Sequence, residues 1–386
     1  MSLFKTRLLT PGPTDVPPEV LEEMAKPVIH HRTKAYQAIN LELNQALQRL
    51  FRTQGPVLTL AGSGTTAFEA AQISLAKPGS TVISISGGKF GERWQDIYDQ
   101  FAPSLQLRHV KIDVPWGHAV TADRVRQALA EHPDCSVVAL VHSETSTATA
   151  CDLQAIAQAT RGSQALLLAD AITSLGAMSV EMDAWGVDAV VTGSQKALML
   201  PPGLGFVGLG PRALQRLEEV KAGPMYAQDL RRWLKGWQKN DPPFTPPVSL
   251  VRGQLVALRM IEGWGLEKVW ARTRRLAEAT RAALRAMGLK LISQSPSDSV
   301  TGAFYPEGLD DAMRAKVRDR HAVHLAGGQD GRGAKWKTSI FRLNHMGYVD
   351  AGDTLAALMA IESEFIAAGV PIQRGVAVAA AVQSLA

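Results

Sequence analysis

The feature that most constrains this chain is a series of short apolar runs, each followed by an amphipathic stretch. The runs fall at 57–60, 81–86, 107–112, 137–142, 166–169 and 189–192. Each has strand length and little polar alternation, the pattern of strands covered on both faces. Helical spacing intervenes at about 66–76, 90–101, 121–131 and 152–160. This alternation predicts an α/β architecture, a mostly parallel sheet covered by helices. In such sheets ligands collect outside the carboxyl ends of the strands.

The flanking regions read differently. Residues 8–18 carry four prolines in Leu-Leu-Thr-Pro-Gly-Pro-Thr-Asp-Val-Pro-Pro and predict an extended arm. Helical spacing appears near 18–26 and at 34–51. From 248 to 287 it dominates, with a break near 263–265. Beyond that, strands are expected at 301–305 and 338–343, with helices at 309–319 and 354–367. These form a smaller C-terminal α+β unit. The apolar tail 375–386 either folds back onto the body or frays. The expected organisation is an arm at 1–15, a large domain at 16–250 and a small domain at 251–386. A chain of 386 residues has the length for two such units.

Composition narrows the function classes. A formal charge of +5, with no long run of like charge, argues against nucleic acid as principal partner. Cys135 and Cys151 are the only cysteines and read as small buried hydrophobes rather than metal ligands or a disulfide framework. No secretory leader and no membrane-length apolar run is legible, so the expectation is a cytoplasmic protein with no metal site. Gly203-Leu-Gly205-Phe-Val-Gly208 matches a dinucleotide fingerprint. It follows Pro201-Pro202, however, and is itself apolar, so it reads as a strand.

Three strand-end positions carry chemistry. Lys196 lies in Gly193-Ser-Gln-Lys-Ala197, just after one apolar run and before Pro201-Pro-Gly203. A lysine confined on such a turn suits an amine that must lose its proton and attack a carbonyl. Asp170 ends the run 166–169. Gly62-Ser63-Gly64-Thr65-Thr66 is a glycine-rich turn from strand to helix, where backbone N–H groups attract an anion. Singly, these read as a surface lysine, a helix cap and a second cap. Together, an amine, an acid and a phosphate cup are the parts that pyridoxal 5'-phosphate requires.

With those residues stand further blocks: Leu9-Thr-Pro-Gly-Pro-Thr14, His31-Arg32, Gly88-Lys-Phe-Gly-Glu-Arg93 and His142-Ser-Glu-Thr-Ser-Thr147. Phe244-Thr-Pro-Pro-Val248 and Ile340-Phe-Arg342 follow. In order and spacing the chain resembles the class V, fold-type I aminotransferases of the alanine–glyoxylate and serine–glyoxylate group. Some bacterial members of that group carry the label "soluble hydrogenase small subunit".

The resemblance implies that Lys196 forms the Schiff base with the cofactor and Asp170 faces its pyridine nitrogen. Ser63, Gly64, Thr65 and Gln195 would hold the phosphate, with Thr245 supplied by a neighbouring subunit. Phe90 would stack on the ring, Thr145 would meet its phenolic oxygen, and Ile172 would also contact the cofactor. Arg342 would grip the substrate carboxylate, and Gly12 would also contact the substrate. The implied assembly is a homodimer with shared sites.

The implied reaction moves an amino group from L-alanine or L-serine to glyoxylate or pyruvate by a ping-pong cycle. Aminoethylphosphonate or pyridoxamine as donor is the same-fold alternative. A cysteine desulfurase would need a cysteine late in the chain, and a hydrogenase-associated subunit would need cysteine clusters or a nucleotide site. Pro242 stands where relatives have a phosphate-binding tyrosine, and Leu343-Asn344 where they have Ile-Gly. His345 reads as a structural hydrogen bonder, and the basic loop 332–337 as a solvated turn in preference to an active-site lid.

Overall fold

The computed structural model describes residues 5–220 and 223–386. Its strands are β1 (Arg7–Leu8), β2 (Val57–Gly62), β3 (Thr81–Ser86), β4 (Arg108–Asp113), β5 (Cys135–Val141), β6 (Ser143–Glu144) and β7 (Thr149–Ala150). They continue with β8 (Leu166–Asp170), β9 (Ala189–Gly193), β10 (Gly203–Leu209), β11 (Val300–Phe304), β12 (Val323–His324), β13 (Ala326–Gly327) and β14 (Ile340–Asn344). The main sheet has seven strands in the order β2-β10-β9-β8-β5-β3-β4.

Within that sheet β4, β3, β5, β8 and β9 are mutually parallel, whereas β10 runs antiparallel to both β9 and β2. The reversal has a simple cause. A parallel return needs a crossover of a dozen or more residues. Residues 194–202 are too few for that and include two prolines. The chain therefore turns straight back into β10, and the 203–208 glycine pattern is a buried strand as its apolar character predicted.

Helices cover both faces. Gly64–Leu75 and Lys89–Leu105 pack on one, sharing a core in which Phe68, Trp94 and Tyr98 are fully buried. Lys34–Phe51, Ala122–Glu131, Leu153–Thr160 and Val248–Trp264 pack on the other. Two helices stand where no element was expected, Pro211–Glu219 and Leu230–Gln238. In the second, Leu230, Trp233 and the partly buried Leu234 and Trp237 form one apolar face, a helical spacing legible in the sequence.

A separate core lies under the three-stranded sheet β11-β14-β13, formed with the helices Leu266–Ala286 and Ala351–Ala367. The tail takes the first of its two expected courses: Val376–Leu385 is a helix whose Ala377 and Ala381 are buried in that core. The arm also belongs here. β1 pairs with β12, Leu9 is buried in the same core, and Leu9 O accepts from Asn344 N at 2.9 Å. Among the described residues no helix is long and apolar enough to cross a membrane.

Candidate active site

The loop that carries Lys196 is held from several directions. Ser194 Oγ donates to Pro201 O at 2.8 Å, Met199 N to Lys196 O at 3.1 Å, and Leu200 N to Ser194 O at 3.1 Å. The arm adds Thr14 Oγ1 to Lys196 O at 2.8 Å and Thr14 N to Gln195 O at 3.2 Å. Met199 has φ 55°, a conformation that only such surrounding contacts maintain in a non-glycine residue. The sequence thus spends its short return on a rigid turn, and the lysine stem has one direction to take.

That direction is inward. Lys196 Nζ donates to Pro11 O at 2.5 Å. Gly12, at φ 133°, packs so close that a Cβ there would lie 2.0 Å from Nζ. Gly12 is therefore glycine on two counts, backbone conformation and room for the amine. Burial pushes the Lys196 ammonium down to about 8, with the Arg342 and Arg93 cations adding and Asp170 opposing. A lysine so placed presents a sizeable neutral fraction near neutral pH, the form that acts as a nucleophile or base.

Asp170 ends β8 in a buried position. Its Oδ1 accepts from Ile172 N at 2.7 Å. Burial pushes its carboxyl up to about 8, against that N–H bond and with help from the nearby Glu144. A carboxylate with spare acceptor capacity in a dry place is arranged for a cation or a proton.

One pocket brings these groups together. Lys196, Asp170, Ser63, Gly64, Thr65, Phe90, Thr145, Ile172 and Gln195 all line it, and so do Arg93, Ser143 and Thr173. Ser63 to Thr65 open the helix Gly64–Leu75 and line the pocket, and helix N-terminal N–H groups attract an anion. A Cβ on Gly64 would strike Ile172 Cδ1 at 2.4 Å, so glycine lets Ile172 pack close beside that turn. Thr145 Oγ1 donates to Thr173 Oγ1 at 3.1 Å, which in turn donates to Ser143 O at 2.7 Å.

Arg342 enters from β14 and is buried. Its Nε and Nη2 donate to Gly327 O at 3.0 and 2.8 Å, and its Nη1 to Thr145 O at 2.7 Å. A guanidinium has five N–H donors, so one stays free on each terminal nitrogen, a pair suited to a carboxylate. Burial draws its pKa down to about 10, with Glu144 opposing.

Some expected positions lie elsewhere. Thr245 lines an open groove with Val28, His30, His31 and Pro246, apart from the Lys196 pocket of its own chain. Pro242 accepts from Arg32 Nη1 at 3.1 Å and lines a shallow depression beside Asn40 and Trp237. His345 is buried and pairs Nε2 with Thr301 Oγ1 at 2.9 Å, a structural contact as expected.

The basic loop differs from its reading. Arg332 is not merely solvated: Nη2 donates to Gln95 Oε1 at 2.6 Å and Nη1 to Asp96 Oδ1 at 2.7 Å, while its N–H donates to Glu92 Oε1 at 2.5 Å. Gly331 and Gly333 pack on Trp116 where a Cβ would clash at 2.3 and 2.6 Å. The loop is strapped to the helix Lys89–Leu105.

Ser143 and Thr173 carried no role in the sequence reading, and neither did two charged residues, Arg93 in the lining and Glu144 behind it. Arg93 donates from Nη1 to Thr65 Oγ1 at 3.0 Å and lies 5.0 Å over the Phe90 ring. Its i,i+3 spacing from Phe90 on one helix was the available signal. Glu144 is buried beside Arg342 and Asp170, and nothing in the sequence distinguishes it from its polar neighbours in the block 142–147.

Comparison with known proteins adds a name to this geometry. The family described as aminotransferase class V matches residues 7–339. A "soluble hydrogenase, small subunit" of a Synechococcus strain is 39% identical, covering 93% of this chain and 92% of that protein. The L-aspartate–glyoxylate aminotransferase of Paracoccus denitrificans is 34% identical over 97% and 94%. The crystal structure of ureidoglycine–glyoxylate aminotransferase from Bacillus subtilis superposes with TM-score 0.92 at 25% identity, covering 100% of this chain and 99% of that one.

Proposed function

The chain belongs to the class V aminotransferases, and on that premise we propose that it binds pyridoxal phosphate at Lys196 and transfers an amino group from a small L-amino acid, alanine or serine, to glyoxylate or pyruvate. The observation that carries the reading is a neutralisable amine and an under-bonded acid lining one pocket, with the Arg342 guanidinium held just outside that lining on the main-chain oxygen of Thr145. Glyoxylate is named for both the Paracoccus and the Bacillus relative, whereas their donors differ. The donor is thus the part of the reading that most needs measurement.

The residues fit the cofactor. Gln195 lines the same pocket, where its amide N–H groups could donate to an anion. Ser63 to Thr65 stand there at a helix N-terminus, and Asp170 keeps acceptor capacity. Ser63, Gly64, Thr65 and Gln195 would hold the phosphate through N–H and O–H donors, with Arg93 adding positive charge beside Thr65. Phe90 would form a wall against the ring, with Thr145 and Ile172 at its edges. When bound, pyridoxal phosphate supplies a sink for the electron pair left at Cα on deprotonation.

This chain's own groups do the rest. Arg342 binds and orients the substrate carboxylate, which fixes the direction of the Cα–H bond. Lys196 would take the proton from Cα and return it. Asp170 would supply the negative charge that keeps a proton on the ring nitrogen. The reaction proceeds in two halves, donor in and oxo acid out, then acceptor in and amino acid out. Thr245 reaches the site of a second copy, which makes the working unit a homodimer.

Visible absorbance tests the reading. Wild-type protein should show a pyridoxal phosphate band that collapses on adding L-alanine or L-serine. Lys196→Ala should lose both the covalent band and turnover. A Lys196→Ala protein that still turns over would sink the assignment.

A further inference from the structure

The helix Lys89–Leu105 begins without a cap of its own. Its N-cap is Gly88, which has no side chain to offer the first N–H groups. Those donors are satisfied by residues more than fifty positions away. Glu144 Oε2 accepts from Phe90 N at 3.1 Å and Gly91 N at 2.9 Å. Ser146 Oγ accepts from Lys89 N at 2.8 Å and itself donates to Glu144 Oε1 at 2.5 Å, as does Ser146 N at 3.1 Å. Gly88 makes this possible, because a Cβ there would lie 2.4 Å from Glu144 Cγ.

Four donors converge on one carboxylate that is 4% exposed. A donor-only environment of this kind favours the ionised form, as does a helix N-terminus, and both work against burial, which on balance raises the carboxyl above its ordinary value. The next residue, Thr145, gives its carbonyl to Arg342. Glu144 therefore sits between the aromatic wall of the pocket and its carboxylate grip, and its charge is felt by Arg342 and Asp170.

We propose that Glu144 is the positioning residue of the site: by capping the helix Lys89–Leu105 from β6 it fixes the Phe90 ring relative to Asp170 and Arg342. The inference rests on the cofactor reading above, since Phe90 is the wall against which the ring would lie. Glu144 does not line the Lys196 pocket and acts through Phe90 and the Thr145 carbonyl. Glutamine cannot replace it, because its amide offers one acceptor oxygen and turns N–H groups toward other N–H donors.

The test is a double-mutant cycle on cofactor affinity. The probe is pyridoxal phosphate itself, titrated by its visible band and visible circular dichroism, with far-ultraviolet melts to confirm folding. Glu144→Gln should raise the dissociation constant roughly tenfold and change the dichroic amplitude. In a Phe90→Ala background the same substitution should add less than about twofold, since the shared route is already lost. An equal rise in both backgrounds, or no rise in either, would overturn the inference. If Glu144→Gln does not fold, Ser146→Ala repeats the cycle: it keeps the charge and removes the bridge to Lys89 N, and should show the same non-additivity. Wild-type protein that binds no pyridoxal phosphate would instead remove the cofactor reading, and this inference with it.

Discussion

Asp170 and Glu144 are both buried carboxylates, one ending β8 and the other in the short strand just beyond neighbouring β5, yet they are treated in opposite ways. Glu144 receives four hydrogen bonds, from two backbone N–H groups of one helix and from Ser146 twice. Asp170 receives one, from Ile172 N. A saturated carboxylate is a structural joint, whereas an under-bonded one is held ready for a ligand. The contrast separates roles that residue type alone would merge.

The sharpest way to break this comparison is Asp170→Asn. Turnover should fall by roughly a thousandfold or more, because a preorganised charge opposite the reacting group is lost. The fold should survive. In the cofactor-free protein Asp170 keeps its proton up to about 8, against an ordinary value of 3.8. Folding thus takes up a proton, and stability is lost as pH rises through that window. The asparagine variant should melt higher than wild type above pH 8 and meet it near pH 4. Melting curves across that range decide the point; a variant less stable at pH 9 would mean Asp170 is a structural carboxylate after all.

A smaller effect is expected at Arg342, the cation next to Glu144. Arg342→Lys keeps the charge but loses the fork that binds Gly327 O and Thr145 O together. Donor KM should rise roughly tenfold to a hundredfold, with cofactor affinity little changed. Steady-state kinetics with alanine and serine would show it, and a fall in kcat alone would place the grip elsewhere. The smallest effect belongs to Arg332→Ala. Its bonds to Gln95 and Asp96 are partly exposed, and their loss should destabilise by about 1 kcal/mol in urea unfolding. A loss several times larger would make the strap a main joint of the fold rather than a fastening.

What the sequence disclosed depended on where the partners lie. Lys196, Asp170 and Ser63–Thr65 were legible because each follows an apolar run, and the sheet rule turns that position into a shared edge. Strand β10 was legible as a strand from its apolar run after Pro201-Pro202, but its reversed direction was not read from the sequence. Arg332 was misread because Gln95, Asp96 and Glu92 lie more than two hundred positions away, and no local pattern signals a distant acceptor. Glu144 was invisible for a different reason: two of its donors are main-chain groups of Phe90 and Gly91, which every residue possesses. The groove around Thr245 belongs to a second copy in our reading, and one chain alone cannot encode that geometry locally.

The arm has a consequence for biosynthesis. Thr14 bonds to Lys196, 182 positions later, and Leu9 to Asn344. The arm therefore cannot complete its contacts until β14 has left the ribosome. Contacts of such long sequence separation form slowly. The amine stands without Pro11 and Gly12 beside it until they do.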